Sequence, residues 1–271
     1  MHKRWMTLTA LATLASSPVL AQRTADQARL SLGLAFGVTS GTDLWRVPNQ
    51  PIFGGLSQVD TLNIGRKVRP SLAVIFHGTY FPGEHWGITG EAMLIGLGFE
   101  DDCEVKFFSG SVSDTEVCNS INGTNTPASA AALSIGTEYR IRSHQTVSPY
   151  LRAHVGLVMT QHSPLKMDGT FTTTDTTSGI TTVVLYRLYD DPKQRRIRPV
   201  FGLGLGFTAL MGRGYQLRIE GRDNITGTER VTGPTFGAPF LVPPSKTVYK
   251  HIFSVTFGFD VVLERRRGRR Y

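Results

Sequence analysis

The sequence predicts an all-β fold, an eight-stranded antiparallel up-and-down β-barrel that crosses a membrane with its strands. Three observations lead to this prediction. Apolar residues occupy every second position through segments of about nine to thirteen residues, which is typical of strands with one apolar face. The positions between them are mostly Gly, Ser, Ala and Thr. The connections between these segments alternate between short and long.

Eight segments are predicted to be barrel strands. In six of them the alternation is clear, whereas in 86–99 the apolar face switches near Leu97, as a β-bulge would cause. In 181–189, Val183 and Leu185 weaken the alternation. The eight predicted strands are 30–38, 72–80, 86–99, 133–141, 151–159, 181–189, 197–209 and 253–263.

The predicted connections fall into two length classes. The short ones carry turn-forming residues, such as Pro82 and Gly83, while the long ones are rich in Gly, Thr, Ser, Asn and Pro and are expected to be irregular. Because the long ones come at every second connection, they all leave the same end of the barrel. The short connections are 81–85, 143–147 and 190–196, and the long ones are 40–67, 101–129, 161–180 and 210–247.

A soluble β-sandwich also has strands with one apolar face, and it is the main alternative. Its other face would meet water and carry many charged residues. Here only 18% of all residues are charged, and small residues dominate that face, which suits the narrow interior of a closed barrel surrounded by lipid. Aromatic residues near strand ends, such as Tyr80, Phe81 and Trp86, are typical of a membrane interface. The membrane barrel is therefore favoured.

Four segments are predicted along the chain. Residues 1–21 combine Lys3 and Arg4 with an apolar stretch and a small-residue cleavage site, as in a secretory signal peptide. Residues 22–28 form a short N-terminal segment, 29–263 the barrel and 264–271 a basic tail. The formal net charge of +8 is concentrated in the signal peptide and the tail, so the barrel segment is nearly neutral. This distribution excludes a nucleic-acid-binding surface.

The signal peptide, the strand number, the alternating connection lengths and the aromatic residues of 253–263 together resemble the small eight-stranded outer-membrane barrels of the OmpA transmembrane domain, OmpX and OmpW type. The resemblance covers 29–263. It implies a bacterial outer membrane, periplasmic termini and short turns, and long extracellular loops. It also implies contacts with outer-membrane lipids, lipopolysaccharide and the outer-membrane assembly machinery. The basic tail departs from the family, whose members usually end at an aromatic residue that the assembly machinery recognises.

Two groups of residues are candidates for chemistry or stabilisation. His77, Thr79 and Glu91 resemble the His-x-Ser…Glu arrangement of outer-membrane lipid A deacylases, in which the three residues would act as base, nucleophile and orienting carboxylate. Threonine replaces serine here and the strand parity directs all three into the barrel, so interior packing is the favoured interpretation. Cys103 and Cys118 lie in one long loop outside the cytoplasm and are predicted to form a disulfide.

The arginine run Arg265–Arg270 in the tail could contact anionic lipid headgroups or peptidoglycan. A solvated tail is the favoured interpretation, because runs of like charge usually repel one another and stay in water.

The inward positions of the predicted strands include residues of both charge signs. An eight-stranded barrel has an interior that side chains fill, and buried charges need partners, so these residues are predicted to form a hydrogen-bonded network. If the turn 143–147 centres on Gln145, Glu138 lies directly opposite Arg152. The predicted network consists of Glu91, Glu138, Arg140, Arg152, His154, Arg187, Arg198, Lys250 and Asp260.

The sequence therefore favours a non-enzymatic, integral outer-membrane barrel whose long extracellular loops have a structural or surface-interaction role. A narrow channel for small solutes is the first alternative, and a lipid-modifying enzyme of the outer membrane is the second. No cofactor and no metal site is predicted, since two cysteines leave no Cys/His cluster.

Overall fold

The computed structural model describes residues 27–52, 60–107, 112–122, 124–193, 196–211, 214–236 and 242–266. The predicted signal peptide, most of the N-terminal segment and residues 267–271 of the tail lie outside this range. The elements are β1 (Gln27–Thr39), β2 (Thr42–Ile52), β3 (Asp60–Val68), β4 (Ser71–Tyr80), β5 (Trp86–Ile95), β6 (Gly98–Phe107), α1 (Val112–Ile121), β7 (Asn125–Pro127), β8 (Ala130–Arg140), β9 (Val147–Thr160), β10 (Met167–Thr174), β11 (Thr181–Tyr189), β12 (Ile197–Leu210), β13 (Tyr215–Val231) and β14 (Ser245–Arg266).

Eight of these strands form a closed antiparallel barrel, in the order β1, β14, β13, β12, β9, β8, β5 and β4. The barrel closes because β1 pairs with both β14 and β4. The short connections that join β4 to β5, β8 to β9 and β12 to β13 start and end on the side of the barrel where β1 begins and β14 ends, which we call the turn end. The long connections lie at the opposite end, the cap end. The predicted fold class is confirmed.

The outer surface of the barrel is mainly apolar on all eight strands. Outward-facing side chains such as Phe36, Leu203 and Val255 are 58%, 65% and 66% exposed. A continuous apolar surface of this kind is stable in lipid rather than in water. Tyr80 and Trp86 lie near the turn end of this surface, where an aromatic girdle would meet the membrane interface. Among the described residues, no helix has the length and hydropathy needed to cross a membrane.

One predicted barrel strand is wrong, and one barrel strand was missed. Residues 181–189 form β11, which pairs only with β10 in a two-stranded sheet outside the barrel. The eighth barrel strand is instead β13, which lies in the segment 210–247 that was expected to be an irregular loop. This strand was missed because its inward face is so polar that the segment resembles a loop in sequence. Consequently the third short connection of the barrel joins β12 to β13, and the prediction of 190–196 for it is wrong.

The segment 86–99 is also not one strand. It contains β5 of the barrel and the first residues of β6, which belongs to a different sheet. The change of apolar face near Leu97 therefore marks the point where the chain leaves the barrel, and it is not a bulge within a single strand.

The long connections are folded, contrary to the expectation that they are irregular. Strands β2, β3, β6 and β7 form a four-stranded sheet, β10 and β11 form a hairpin, and α1 packs against β10. We call this assembly the cap. Its hydrophobic core is separate from the barrel interior and contains Leu44, Trp45, Val47, Ile52, Leu62, Ile64, Val68, Phe99, Val117, Ile121, Leu165, Met167, Leu188 and Tyr189.

The predicted disulfide between Cys103 and Cys118 is confirmed, with an S–S distance of 2.00 Å. It joins β6 to α1, and both cysteines lie in the hydrophobic core of the cap. The bond therefore holds the helix against the four-stranded sheet.

We expect Cys103→Ser/Cys118→Ser to loosen the cap and leave the barrel intact. The disulfide closes a loop with a sequence separation of 15 residues. In the chain-entropy model, a loop of this size contributes up to about 3 kcal/mol. Limited proteolysis of the folded protein should cleave the variant faster within 96–129, while the heat-dependent shift in gel mobility of the barrel stays unchanged. Equal proteolysis of wild type and variant would contradict this role.

Candidate functional site: the barrel interior and the cap

The barrel interior contains a network of four carboxylates and four guanidinium groups in the described residues. The carboxylates are Glu91, Glu138, Glu220 and Asp260, and the guanidinium groups belong to Arg140, Arg152, Arg218 and Arg222. All eight residues are buried. Equal numbers of positive and negative charges make the network neutral, which is the condition under which buried charges can be tolerated.

Glu138 is at the centre of this network. Its Oε2 accepts hydrogen bonds from Arg152 Nη2 and Arg218 Nη1, both at 2.8 Å. Strands β8 and β9 pair with Glu138 directly opposite Arg152, which is the register that the sequence suggested. Arg218 also donates to Asp260 Oδ2 at 3.1 Å from Nε, so one guanidinium connects carboxylates on two different strands.

A second group of contacts surrounds Glu91 and Glu220, on the side of the network towards the cap. Arg222 donates to Glu91 Oε2 at 3.0 Å and to Glu220 Oε1 at 2.9 Å. Arg152 reaches the same two carboxylates, at 3.1 Å from Glu91 and 3.4 Å from Glu220. Tyr150 donates its hydroxyl hydrogen to Glu220 Oε2 at 2.7 Å. Every carboxylate in this part of the network therefore contacts at least two arginines.

Histidine and amide side chains add further hydrogen bonds to the interior. His77 Nε2 lies 2.8 Å from Asp260 Oδ1, and Gln216 donates to Asp260 Oδ2 at 2.7 Å. His154 Nε2 lies 3.1 Å from Asn224 Oδ1. These side chains come from strands around the barrel, so the network joins opposite walls of the interior.

Arg140 occupies the turn end of the interior. Its guanidinium carbon lies 3.3 Å from the centroid of the Phe81 ring, and its Nη1 donates to the backbone oxygen of Ala28 at 2.9 Å. A cation above an aromatic face is attracted by the ring quadrupole. Arg140 and Phe81 together fill the barrel where the β4–β5 turn crosses its opening.

Six of the nine residues predicted for the network lie in the barrel interior near one another. They are Glu91, Glu138, Arg140, Arg152, His154 and Asp260. Arg198 is buried too, but it lies at the cap end, 3.7 Å from Glu229.

Two predicted members lie elsewhere. Arg187 belongs to the cap hairpin, where its side chain is 41% exposed and lies 3.2 Å from Asp168, so its assignment to the interior was wrong. Lys250 is on the inward face of β14, but beyond the point where β14 pairs with β1, because that pairing ends at Thr39 and Ser254. Lys250 therefore lines a cleft beside the cap and is not part of the network.

Sequence reasoning missed the richest strand of the network. The inward face of β13 carries Gln216, Arg218, Glu220, Arg222 and Asn224. A signal was present, because Tyr215, Leu217, Ile219 and Ile225 occupy alternate positions on its outward face. Gly221 and Asp223 interrupt that apolar series, so the two-residue alternation of a strand was not recognised.

The side chains of His77, Thr79 and Glu91 hydrogen-bond to other interior residues and not to one another. All three are buried inside the barrel, as the strand parity predicted. His77 contacts Asp260, Thr79 donates to Thr89 Oγ1 at 3.4 Å, and Glu91 contacts arginines. These hydrogen bonds connect strands around the barrel interior. In the described residues, no group of three or more His, Cys, Asp or Glu side chains could hold a metal ion.

The cap is held together by two buried polar clusters. In the first, Arg66 forms a bidentate pair with Asp101, with N–O distances of 2.6 and 2.7 Å, and its guanidinium lies between the rings of Trp45 and Phe99. Arg66 also donates to the backbone oxygen of Pro164 at 3.3 Å. This residue therefore connects the four-stranded sheet to the connection that carries β10 and β11.

The second cluster is centred on Gln50. Its side-chain amide accepts from the Tyr189 hydroxyl at 2.6 Å and from the backbone N–H of Thr235 at 2.9 Å. Burial raises the pKa of the Tyr189 phenol, which keeps this donor protonated. Gln50 thereby links three of the four long connections, so the cap is one structure and not a set of separate loops.

A small apolar cavity of about 70 Å³ lies between the network and the cap. Asn224 and Arg198 line its barrel side, while Leu44, Val68 and Phe99 of the cap line the other side. Below it lies the charge network, and above it lies the core of the cap.

We expect Glu138→Ala and Arg152→Ala each to lower the free energy of unfolding by about 3–5 kcal/mol, because each leaves a buried charge without its partner. The double variant should lose less than the sum of the two, measured by urea titration in lipid vesicles. Arg187→Ala is the control, because an exposed arginine outside the barrel should cost no more than about 0.5 kcal/mol. Additive losses would contradict the pairing.

No family model and no curated protein matches the chain. Three solved structures are similar to it: Neisserial surface protein A (10% identity, TM-score 0.44, 86% of this chain and 97% of that chain), outer membrane protein OprG from Pseudomonas aeruginosa (11%, 0.44, 88% and 98%) and outer membrane protease OmpT from Escherichia coli (10%, 0.39, 90% and 100%). The likeness is one of fold. The chain is thus similar to bacterial outer-membrane proteins, and it has the closed eight-stranded barrel and apolar exterior of a membrane-spanning protein.

Proposed function

We propose that this protein is a non-enzymatic, integral protein of the bacterial outer membrane whose function is carried by its folded cap. The turn end faces the periplasm and the cap faces the cell exterior. The observation that carries this proposal is the interior network, whose eight charged side chains fill the barrel below the cap. A barrel filled in this way serves as an anchor for the structure that it carries.

The cap has the properties expected of a surface for recognition. Its core and its disulfide fix the arrangement of its strands, so binding need not order a flexible loop. A polar cleft of about 520 Å³ lies between its sheet and the inward face of β13 and β14. Lys67 and Glu100 form an ion pair there, and Arg230 and Lys250 add positive charge. A partner with complementary charges suits this cleft.

The proposal includes the partners that the resemblance implied. Outer-membrane lipids and lipopolysaccharide would contact the apolar exterior and its rim, and the outer-membrane assembly machinery would insert the barrel. The arginine run Arg265–Arg270 would contact anionic headgroups or peptidoglycan from the periplasmic side.

A narrow conduit for small solutes is the second candidate function, and the apolar cavity below the cap is the observation that favours it. A solute that passed from this cavity along the barrel axis would have to separate the ion pairs of Arg152 and Arg222 with Glu91. Breaking buried pairs of this kind costs several kcal/mol, so the filled barrel is preferred over the conduit.

Fractionation tests the proposed location. We expect the mature chain to be recovered with outer membranes, to resist extraction by carbonate, and to migrate differently in gels before and after boiling, because folded barrels of this kind resist detergent. Recovery as a carbonate-soluble protein would contradict the location.

Conductance tests the proposed role of the barrel. In planar lipid bilayers we expect wild-type protein to show no steady conductance, because the network blocks the barrel axis. Arg222→Ala, which removes the guanidinium between Glu91 and Glu220, should produce transient openings more often than Arg187→Ala, which changes only the cap surface. A large and stable wild-type conductance would favour the conduit instead, and a change in lipid A mass on expression would favour an enzyme.

A further inference from the structure

A polar pair lies on the outward, lipid-facing side of the barrel near the cap end. His251 Nδ1 is 2.7 Å from Asp223 Oδ2, and both residues belong to the outward rows of β13 and β14. Their neighbours on the same surface are apolar, since Leu203 and Phe253 lie directly opposite Asp223 on the two adjacent strands. A charged side chain on the lipid face costs free energy, so such a residue marks a functional site.

An apolar groove runs along the barrel surface as far as Asp223 and Phe253, the residue on which the His251 ring stacks. It follows one row of residues paired across six neighbouring strands, from Trp86 near the turn end to Gly221 and Val255. Five strand spacings make it about 24 Å long. The groove exists because its floor carries small residues, among them Ala153 and Gly221. A Cβ atom at Gly221 would meet no atom within 4 Å, so the space outside it is open.

Asp223 determines what the end of the groove offers to a ligand. A carboxylate accepts hydrogen bonds only, so the Nδ1 of His251 is the donor in this pair. The ring stacks on Phe253 with a centroid distance of 6.3 Å, and the His251 side chain is 58% exposed. Nε2 is therefore the ring nitrogen that remains for a ligand, and a hydroxyl group can hydrogen-bond to it in either protonation state.

From this geometry we infer that the groove binds one acyl chain of an outer-leaflet amphiphile and that His251 Nε2 hydrogen-bonds a hydroxyl group of that amphiphile. The occupant is a lipid because the groove lies entirely within the lipid-facing surface. The bound amphiphile carries a hydroxyl group because the protein places a polar pair beside the end of the apolar groove, where polar groups that face lipid cost free energy. Asp223 is a positioning residue that orients the imidazole.

Hexadecan-1-ol and its methyl ether have the same alkyl chain, so a comparison of their affinities isolates the contribution of the hydroxyl group. The folded barrel is placed in amine-oxide micelles, whose headgroups donate no hydrogen bond, and native mass spectrometry gives the occupancy at increasing probe concentration. Wild type should bind one hexadecan-1-ol per barrel, about tenfold more tightly than the ether, since a buried hydrogen bond is worth about one factor of ten.

Four variants separate the contribution of the groove from that of the polar pair. His251→Phe keeps an aromatic ring on Phe253 and should lose the preference for the alcohol. Gly221→Leu fills the groove and should weaken both probes, and Gly221→Ala serves if the leucine variant does not fold. Gly90→Leu is the matched control, because a Cβ at this outward-facing glycine of β5 also meets no atom within 4 Å and Gly90 does not line the groove.

Four results would overturn the inference. The first is an equal affinity of wild type for the two probes, and the second is a preference for the alcohol that survives in His251→Phe. The third is an equal loss of probe affinity in Gly221→Leu and Gly90→Leu, and the fourth is binding of a second copy of the protein in place of the probe. None of them bears on whether the barrel conducts, so this inference and the proposed function can fail separately.

Discussion

Neutralisation of charge inside a closed barrel is the constraint on which the rest of this structure depends. Eight strands enclose a space that side chains must fill, and four arginines fill it only because four carboxylates lie among them. This arrangement also explains the small residues between the apolar positions. A Cβ atom at Gly33 would overlap His77 and Asp260, and one at Gly202 would overlap the ring of His154. Large polar side chains on one strand therefore require glycine at the paired positions of the adjacent strand.

The sequence was sufficient to predict the barrel, because a strand in lipid must alternate regardless of its neighbours. The pair Glu138 and Arg152 was also predictable, since a short turn fixes the register of the two strands that it joins. That β13 and not β11 is a barrel strand was not predictable, because the two-residue alternation of apolar side chains is the same in a surface hairpin and in a barrel strand. The contacts of Arg218 and Arg222 cross the barrel between strands distant in sequence, so only closure of the sheet brings them together.

The cap could not be derived from the loops that form it. The first long connection contributes seven residues to the shared core, the second six and the third four, so no connection builds this core by itself. Gln50 and Arg66 bind backbone and side-chain groups of other connections, which become neighbours only because the barrel holds the ends of all four connections in one ring. The barrel thus supplies the geometry, and the cap uses it to build a rigid surface above a filled interior.

Measurements of hydrogen exchange and bond rotation at the arginine side chains test most directly the claim that paired charges fill the barrel interior. Side-chain ¹⁵N NMR of the folded protein in micelles reports, for each guanidinium, the rate of hydrogen exchange and the rate of rotation about its bonds. Arg140, Arg152, Arg218 and Arg222 should show slow exchange and hindered rotation, because each is buried and held by carboxylate, carbonyl or aromatic partners, whereas the half-exposed Arg187 should exchange rapidly. Rapid exchange and free rotation at the four interior arginines, equal to that of Arg187, would mean a solvated interior and would contradict the account.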